Sequence, residues 1–192
     1  MMNNGIEFDS LKAKRLYSEL SDQRSSLESE LLKYFPPWVE EEEFIPKVNN
    51  KSRGYIKGVP FIKKTTIDFN PGSRDHIAFR LKKTRGWQPK EFTPDGKPKV
   101  DDAILSTLSW PEAKVLAKYF MIQKRLGMLA EGKNAWLKLE KQNRIYAGIN
   151  SNGAVTGRCT HSNPNLGQVP SVRAEYGSEC RELFTAKEGH LL

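Results

Sequence analysis

Aspartate is missing from residues 103–192 of this 192-residue chain: none follows Asp102. Chemistry that rests on aspartates paired across a metal pair therefore has no support there. Glu112, Glu131, Glu140, Glu175, Glu179, Glu182 and Glu188 remain, and no two of them keep a spacing that suggests a metal site. Cysteine is scarce as well, with only Cys159 and Cys180, which excludes a disulfide scaffold and fits a reducing, cytoplasmic setting with free thiols. Cys159, His161, Cys180 and His190 could be tried as zinc ligands, but their separations match no known finger. No apolar run approaches the roughly 20 residues that span a bilayer, and MMNNGIEFD is not a signal peptide. No membrane partner is expected. Internal repeats and long low-complexity tracts are also lacking.

What is present in excess is positive charge. Lys and Arg outnumber Asp and Glu by 31 to 23, a surplus that favours a polyanionic partner, above all nucleic acid. The charge is uneven. Residues 40–43 are four glutamates, and from Phe44 to Thr66 stand Lys47, Lys51, Arg53, Lys57, Lys63 and Lys64 without one acid. A hydrophobic content of 38% suffices for a core at this length, in one domain or one and a half.

Periodicity predicts a helix over residues 9–35, with Asp9 as N-cap, Leu16, Leu20, Leu27, Leu31 and Phe35 at helical spacing, and Pro36-Pro37 as the stop. Residues 36–66 show no clear period and read as an inserted loop or small subdomain. Residues 69–86 predict a helix capped by Ser73 and closed by Gly86, with Ile77 and Leu81 inward. A turn-rich connector follows over 87–99, then a short helix at VDDAILSTL. Ser109-Trp110-Pro111-Glu112 has the pattern of a capping box. The helix it opens runs to about Leu129, its apolar face made by Val115, Leu116, Phe120, Ile122 and Leu126. Lys114, Lys118 and Arg125 fall within about 40° of one another on that helix. They form either a solvated basic face or a row of cations along a phosphate backbone, with Lys124 off the row. RIYAGINSNGAV alternates and holds Asn152-Gly153, a hairpin signal that places strands on either side of a turn.

The stretch TGRCTHSNPNLGQVPSVR, with RELF after it, closely resembles the first polymerase motif of the family A DNA polymerases, the group of bacterial DNA polymerase I and many phage replicative enzymes. The blocks NGIEFD, NPGSRDHI, PKVDDAIL, YFMIQKRLG, AEGKNAW and NSNGAVTGR resemble, in order, a phage-type polymerase thumb and the start of its palm. The resemblance covers about Asn4 to Ala186 and leaves out 36–66. It implies an α+β fold: a mostly helical thumb over 1–140, carrying a basic insertion at 36–66, then the β-containing start of a palm over 141–192. It implies that Arg158 reaches the minor groove at the primer end, that Asn165 and Gln168 lie near the template and primer backbone, and that Arg173 belongs to the same surface. Arg181 belongs to the pattern and could instead pair with an acid. Lys114, Lys118, Lys124 and Arg125 sit on the implied thumb helix along the duplex, and Asn150 and Asn152 lie in the strand-turn leading into Thr156-Gly157-Arg158. Arg and Gln suit such a site, because minor-groove N3 and O2 acceptors are common to all correct pairs.

The resemblance also implies parts that lie outside this sequence. They are the aspartates that hold magnesium, the nucleotide-binding helix and the exonuclease domain. The expected partners are therefore primer-template DNA, a complementing palm-fingers chain, and an exonuclease chain or a processivity factor near 36–66. Some phage members carry a longer loop there that recruits thioredoxin; the shorter one here points to a basic flap that adds DNA contacts. The chain is expected to bind duplex and not to extend primers alone, as one piece of a split polymerase or a segment of a longer one. The rival class is a non-enzymatic duplex clamp that reuses the thumb. A further rival is a basic helical protein whose arginines only solvate it.

Overall fold

The computed structural model describes residues 4–186 and 189. The chain forms two compact units, Met1–Leu27 with Lys118–Leu192, and Glu28–Ala117. Both borders fall inside helices. The fold is α+β.

In the first unit, β1 (Ile6–Phe8) lies at the centre of a small antiparallel sheet ordered β4-β1-β7, between Arg144–Ile145 and Phe184–Thr185. The register pairs Ile6 with Ile145 and Phe8 with Phe184. Helix α1 (Ser10–Tyr34) follows at once, because Asp9 caps it: the Lys12 N–H donates to Asp9 Oδ1 at 2.8 Å. Its inward stripe supplies Leu16 and Leu20 to a core shared with Ile122 and Leu126 of α4 (Pro111–Leu126), Leu129, Ile145, Cys180 and Leu183. Phe8, Trp136 and Phe184 meet edge-on with ring centroids 5.2–6.4 Å apart, the arrangement that aromatic quadrupoles favour. After α4 the backbone widens into a π-turn, Gly127–Glu131, closed by the Gly132 N–H donating to the Gly127 carbonyl at 2.9 Å. Helix α5 (Trp136–Leu139) then leads to β4.

In the second unit, α2 (Arg74–Arg85) starts at Ser73, whose hydroxyl accepts from the His76 N–H, and ends at Gly86, whose φ of 63° puts it in the left-handed region. The next helix, α3 (Asp102–Thr107), is capped by Asp101. The sequence reading of these three helices, and of the caps at Asp9, Ser73 and Gly86, matches the structure; the Asp101 cap emerges from the structure. Two expectations need correction.

The first is the insertion. Residues 36–66 are not a loop but mostly a β-hairpin. Strand β2 (Trp38–Phe44) pairs antiparallel with β3 (Phe61–Ile67), from Trp38 opposite Ile67 to Phe44 opposite Phe61. Sequence periodicity missed it because both faces are solvated, so no apolar alternation is written into it. The four glutamates are strand residues. Glu41 and Glu42 face Lys64 and Lys63, and Lys64 Nζ lies 2.8 Å from Glu41 Oε1.

The second is Glu112. It stands at the second position of α4 rather than the third that a capping box requires. Its buried carboxylate instead accepts from Arg85 Nε at 2.5 Å and Nη2 at 3.1 Å. Burial pushes the Glu112 carboxyl up, but the Arg85 hydrogen bond and its own backbone N–H outweigh it, and the group lies below the usual carboxylate range. A depressed carboxyl stabilises the fold above its unfolded pKa, and that contribution is lost as pH falls through the folded one. The thermal midpoint should therefore drop between about pH 5 and about pH 3, and drop less in Glu112→Gln. A midpoint with the same pH dependence in both proteins would rule out this pair as a source of acid sensitivity.

Candidate nucleic-acid interface

Between Lys141 and Ala174 the chain has Lys141, Arg144, Arg158 and Arg173 and no acid at all. Cations in such a stretch must find carboxylates elsewhere or remain available. Arg144 finds them: Nη1 reaches Glu7 Oε1 at 3.0 Å, and its other nitrogens bind the Asn4 and Gly5 carbonyls. It is a tie across the β1–β4 pair. Arg158 and Arg173 are exposed and form no ion pair among the described residues.

Arg158 lies in the loop between β5 (Gly148–Asn150) and β6 (Thr160–Ser162), which pair from Gly148 opposite Ser162 to Asn150 opposite Thr160. The hairpin exists, but Asn152-Gly153 is not its whole turn. The loop continues to Cys159, with Gly157 at φ 73° and its N–H donating to the Ala154 carbonyl. Gly153 is needed for space instead: a Cβ there would lie 1.9 Å from Thr160 Oγ1. Asn150 Oδ1 accepts from the Asn152 N–H at 3.0 Å. Asn150 therefore shapes the loop's entry, and Asn152 is exposed upon it.

Asn165 and Gln168 bracket a 3-10 turn, Leu166–Gln168. Asn165 Oδ1 accepts from the Gly167 N–H at 3.1 Å, and the Gln168 N–H donates to the Asn165 carbonyl. Both side chains are exposed. Beyond buried Pro170, residues Ser171–Tyr176 run over the core into α6 (Gly177–Arg181), carrying Arg173. Three ties hold this segment. Arg181 Nε donates to the Pro170 carbonyl at 2.7 Å. Tyr176 Oη donates to Gln23 Oε1 at 2.6 Å. Arg125 Nε donates to the Glu175 carbonyl at 3.2 Å.

That last bond corrects the reading of Arg125. The residue is only 7% exposed, so it does not stand in a solvated row with Lys114 and Lys118. It is a strut under the Arg173 segment, and a backbone carbonyl takes the place of the phosphate that its helical position suggested. Lys118 and Lys124 are exposed on the same helix. Lys114 is exposed as well, in the part of α4 that belongs to the other unit. Arg181 is exposed and tied to a carbonyl rather than to an acid. The ties through Arg125 and Tyr176 link positions 50 and 153 residues apart, a separation no local motif carries.

Among the described residues no three His, Cys, Asp or Glu side chains converge to hold an ion, so the residues present do not fit a magnesium site. Cys180 is fully buried and burial pushes its thiol up to about 11, while Cys159 is exposed. His190 lies outside the described residues. No described helix is long and apolar enough to cross a membrane.

The fold combines helices with small sheets, and its acid-free stretch 141–174 exposes arginine and amide side chains. Comparison with known proteins narrows this. The sequence profile of DNA polymerase family A matches residues 56–192. The DNA-directed DNA polymerases of Enterobacteria phage T3 and Escherichia phage T7 are 38% and 37% identical, each over 98% of this chain and 33% of their own length. This chain thus spans about a third of those relatives. Both alignments run over 234 residues, more than the whole of this chain, so the relatives carry residues that it lacks. The POL domain of Pol1 from M. smegmatis, solved with DNA primer-template and dNTP, superposes with a TM-score of 0.64 at 20% identity, over 97% of this chain and 28% of that one. The chain belongs to DNA polymerase family A.

Proposed function

We propose that this chain grips primer-template duplex and positions the primer end for template-directed DNA synthesis. Residues 1–140 serve as the thumb and 141–192 as the beginning of the palm. The observation that carries this is the acid-free stretch 141–174, on which Arg158, Asn165, Gln168 and Arg173 are exposed, with the segment bearing Arg173 tied down by Arg125, Arg181 and Tyr176. Pre-ordering lowers the entropy lost on binding, and uncompensated guanidinium groups suit phosphate and minor-groove acceptors. Asn152, Lys118 and Lys124 add to the same reading, and Lys114, in the other unit, is a separate candidate contact. The metal-dependent step belongs to residues outside this chain. The protein alone therefore binds duplex without extending it, and primer extension returns on mixing with a palm-fingers chain. Duplex binding that persists with no extension in the mixture would favour a non-enzymatic clamp.

Affinity should fall steeply with salt, by about 0.9 in the log–log slope for each phosphate neutralised. Arg173→Ala and Lys118→Ala should each flatten the slope by roughly that amount. Unchanged slopes in both would remove these residues from the contact surface.

The β2–β3 hairpin serves as a flap. Lys63 and Lys64 face glutamates, which leaves Lys47, Lys51, Arg53 and Lys57 at its tip as the groups for DNA. Replacing residues 45–60 by Asn-Gly keeps the Phe44–Phe61 pair and removes all four. Shorter products and a flatter salt slope are expected; unchanged affinity and product length would end the flap's DNA role. Ile45, Val48 and Ile56 are more than half exposed on the same tip, which favours a processivity protein as a second occupant. In that case product length falls with the tip replacement only when the partner is present.

A further inference from the structure

The flap touches the rest of its unit at its feet alone. Along β2 every residue after Trp38 is exposed, and in β3 only the terminal Phe61 and Ile67 are even half-buried. Its orientation is therefore set where the chain enters and leaves. Those feet are aromatic and buried: Phe35 and Trp38 on the way in, Phe69 on the way out. The Phe35 and Phe69 rings pack at a 41° tilt with centroids 4.6 Å apart. Trp38 rests on α2, its ring 5.1 Å from His76 and 5.3 Å from Phe79. These α2 positions share one helix face with Arg80.

Arg80 is the unexpected member. It is 7% exposed, its buried Nε has no hydrogen-bond partner, and no carboxylate pairs with it among the described residues. Its guanidinium carbon lies 5.8 Å from the Phe35 ring centroid and 5.5 Å from that of Trp38. Burying an unpaired cation is unfavourable, and a leucine would fill such a site without that cost. The π faces of the two rings offset part of it, but only while both rings face the cation. A flap that swings turns Trp38 away and leaves the charge buried without compensation.

We propose that Arg80 is the positioning residue of the flap, holding Phe35 and Trp38 on one cation so that the tip stands at one angle to α2. The value of that angle for DNA synthesis rests on the reading of the flap as a duplex contact; the clamp itself does not. The test uses a dye at the tip through Ser52→Cys, with Cys159→Ser to keep labelling specific, in the chain paired with its palm-fingers complement. Arg80→Met should widen the slow wobble of the dye and shorten products as much as replacing the tip does. Arg80→Lys, which keeps a cation over the rings, should recover most of both. A tip as rigid in Arg80→Met as in the wild type overturns the proposal, as does a lysine variant that behaves like the methionine one. If replacing the tip leaves product length unchanged, the flap's DNA role fails, and the dye's wobble still decides whether Arg80 positions it.

Discussion

Primer extension by the complete polymerase carrying Arg158→Ala should fall about tenfold to a hundredfold, while duplex affinity falls only a few-fold. A hydrogen bond to a charged group contributes about 1.5–3 kcal/mol, and each 1.36 kcal/mol is a factor of ten in rate. Arg158 is exposed in a loop whose described turn bonds are local, and it forms no ion pair among the described residues. On the proposed reading, its bond to the primer end would add to alignment of the reacting pair rather than to overall grip, which Arg173 and the lysines would share. Lysine at 158 should restore little, because a point charge lacks the planar fork that spans two acceptors. Single-turnover extension and equilibrium binding on one duplex separate the effects. Equal losses in both would make Arg158 a phosphate grip, and no loss in either would remove it from the site.

Gly177→Ala should be the most damaging single methyl in the first unit. A Cβ at 177 would lie 1.8 Å from the Ser171 carbonyl oxygen and 2.8 Å from its carbon. Those are backbone atoms and cannot swing aside as a side chain can. Overpacking of this kind costs about 1–3 kcal/mol, and more where the backbone itself must move. The 171–176 segment would lift, and with it Arg173 and the bonds from Arg125 and Tyr176. The thermal midpoint should fall by several degrees and duplex affinity should fall with it. Gly157→Ala is the matched control. Nothing lies within 4 Å of its Cβ position, so only the left-handed backbone at φ 73° is penalised, by about 1–2 kcal/mol in a surface loop. Equal losses of stability in the two variants would mean that the 171–176 segment yields freely.

The helices were legible because their signals are local. Asp9, Ser73 and Asp101 cap α1, α2 and α3 within three residues of the N–H groups they satisfy, and Gly86 closes α2 beside its last turn. The flap was not legible, because a ribbon solvated on both faces has no reason to alternate. Glu112 was misread for a related reason: its partner, Arg85, stands 27 residues away. Arg125 shows the same limit from the other side. Helical spacing put it beside Lys118, but the Glu175 carbonyl, 50 residues downstream, decided where its guanidinium went.

By itself the sequence determined the positive charge, the helices with their caps, and the order of blocks from NGIEFD through TGR to RELF that marks the polymerase family. These depend on residue identity and on neighbours within a turn or two, where sterics and short-range hydrogen bonds decide. Only the tertiary structure decided which cations are available. Arg125, Arg144 and Arg80 are all basic and look alike in a string of letters, yet the first is a strut, the second a tie and the third a clamp. Among the described residues no carboxylate was brought to Arg158 or Arg173, which are exposed, and what is brought to a side chain across fifty or more residues is settled by packing alone.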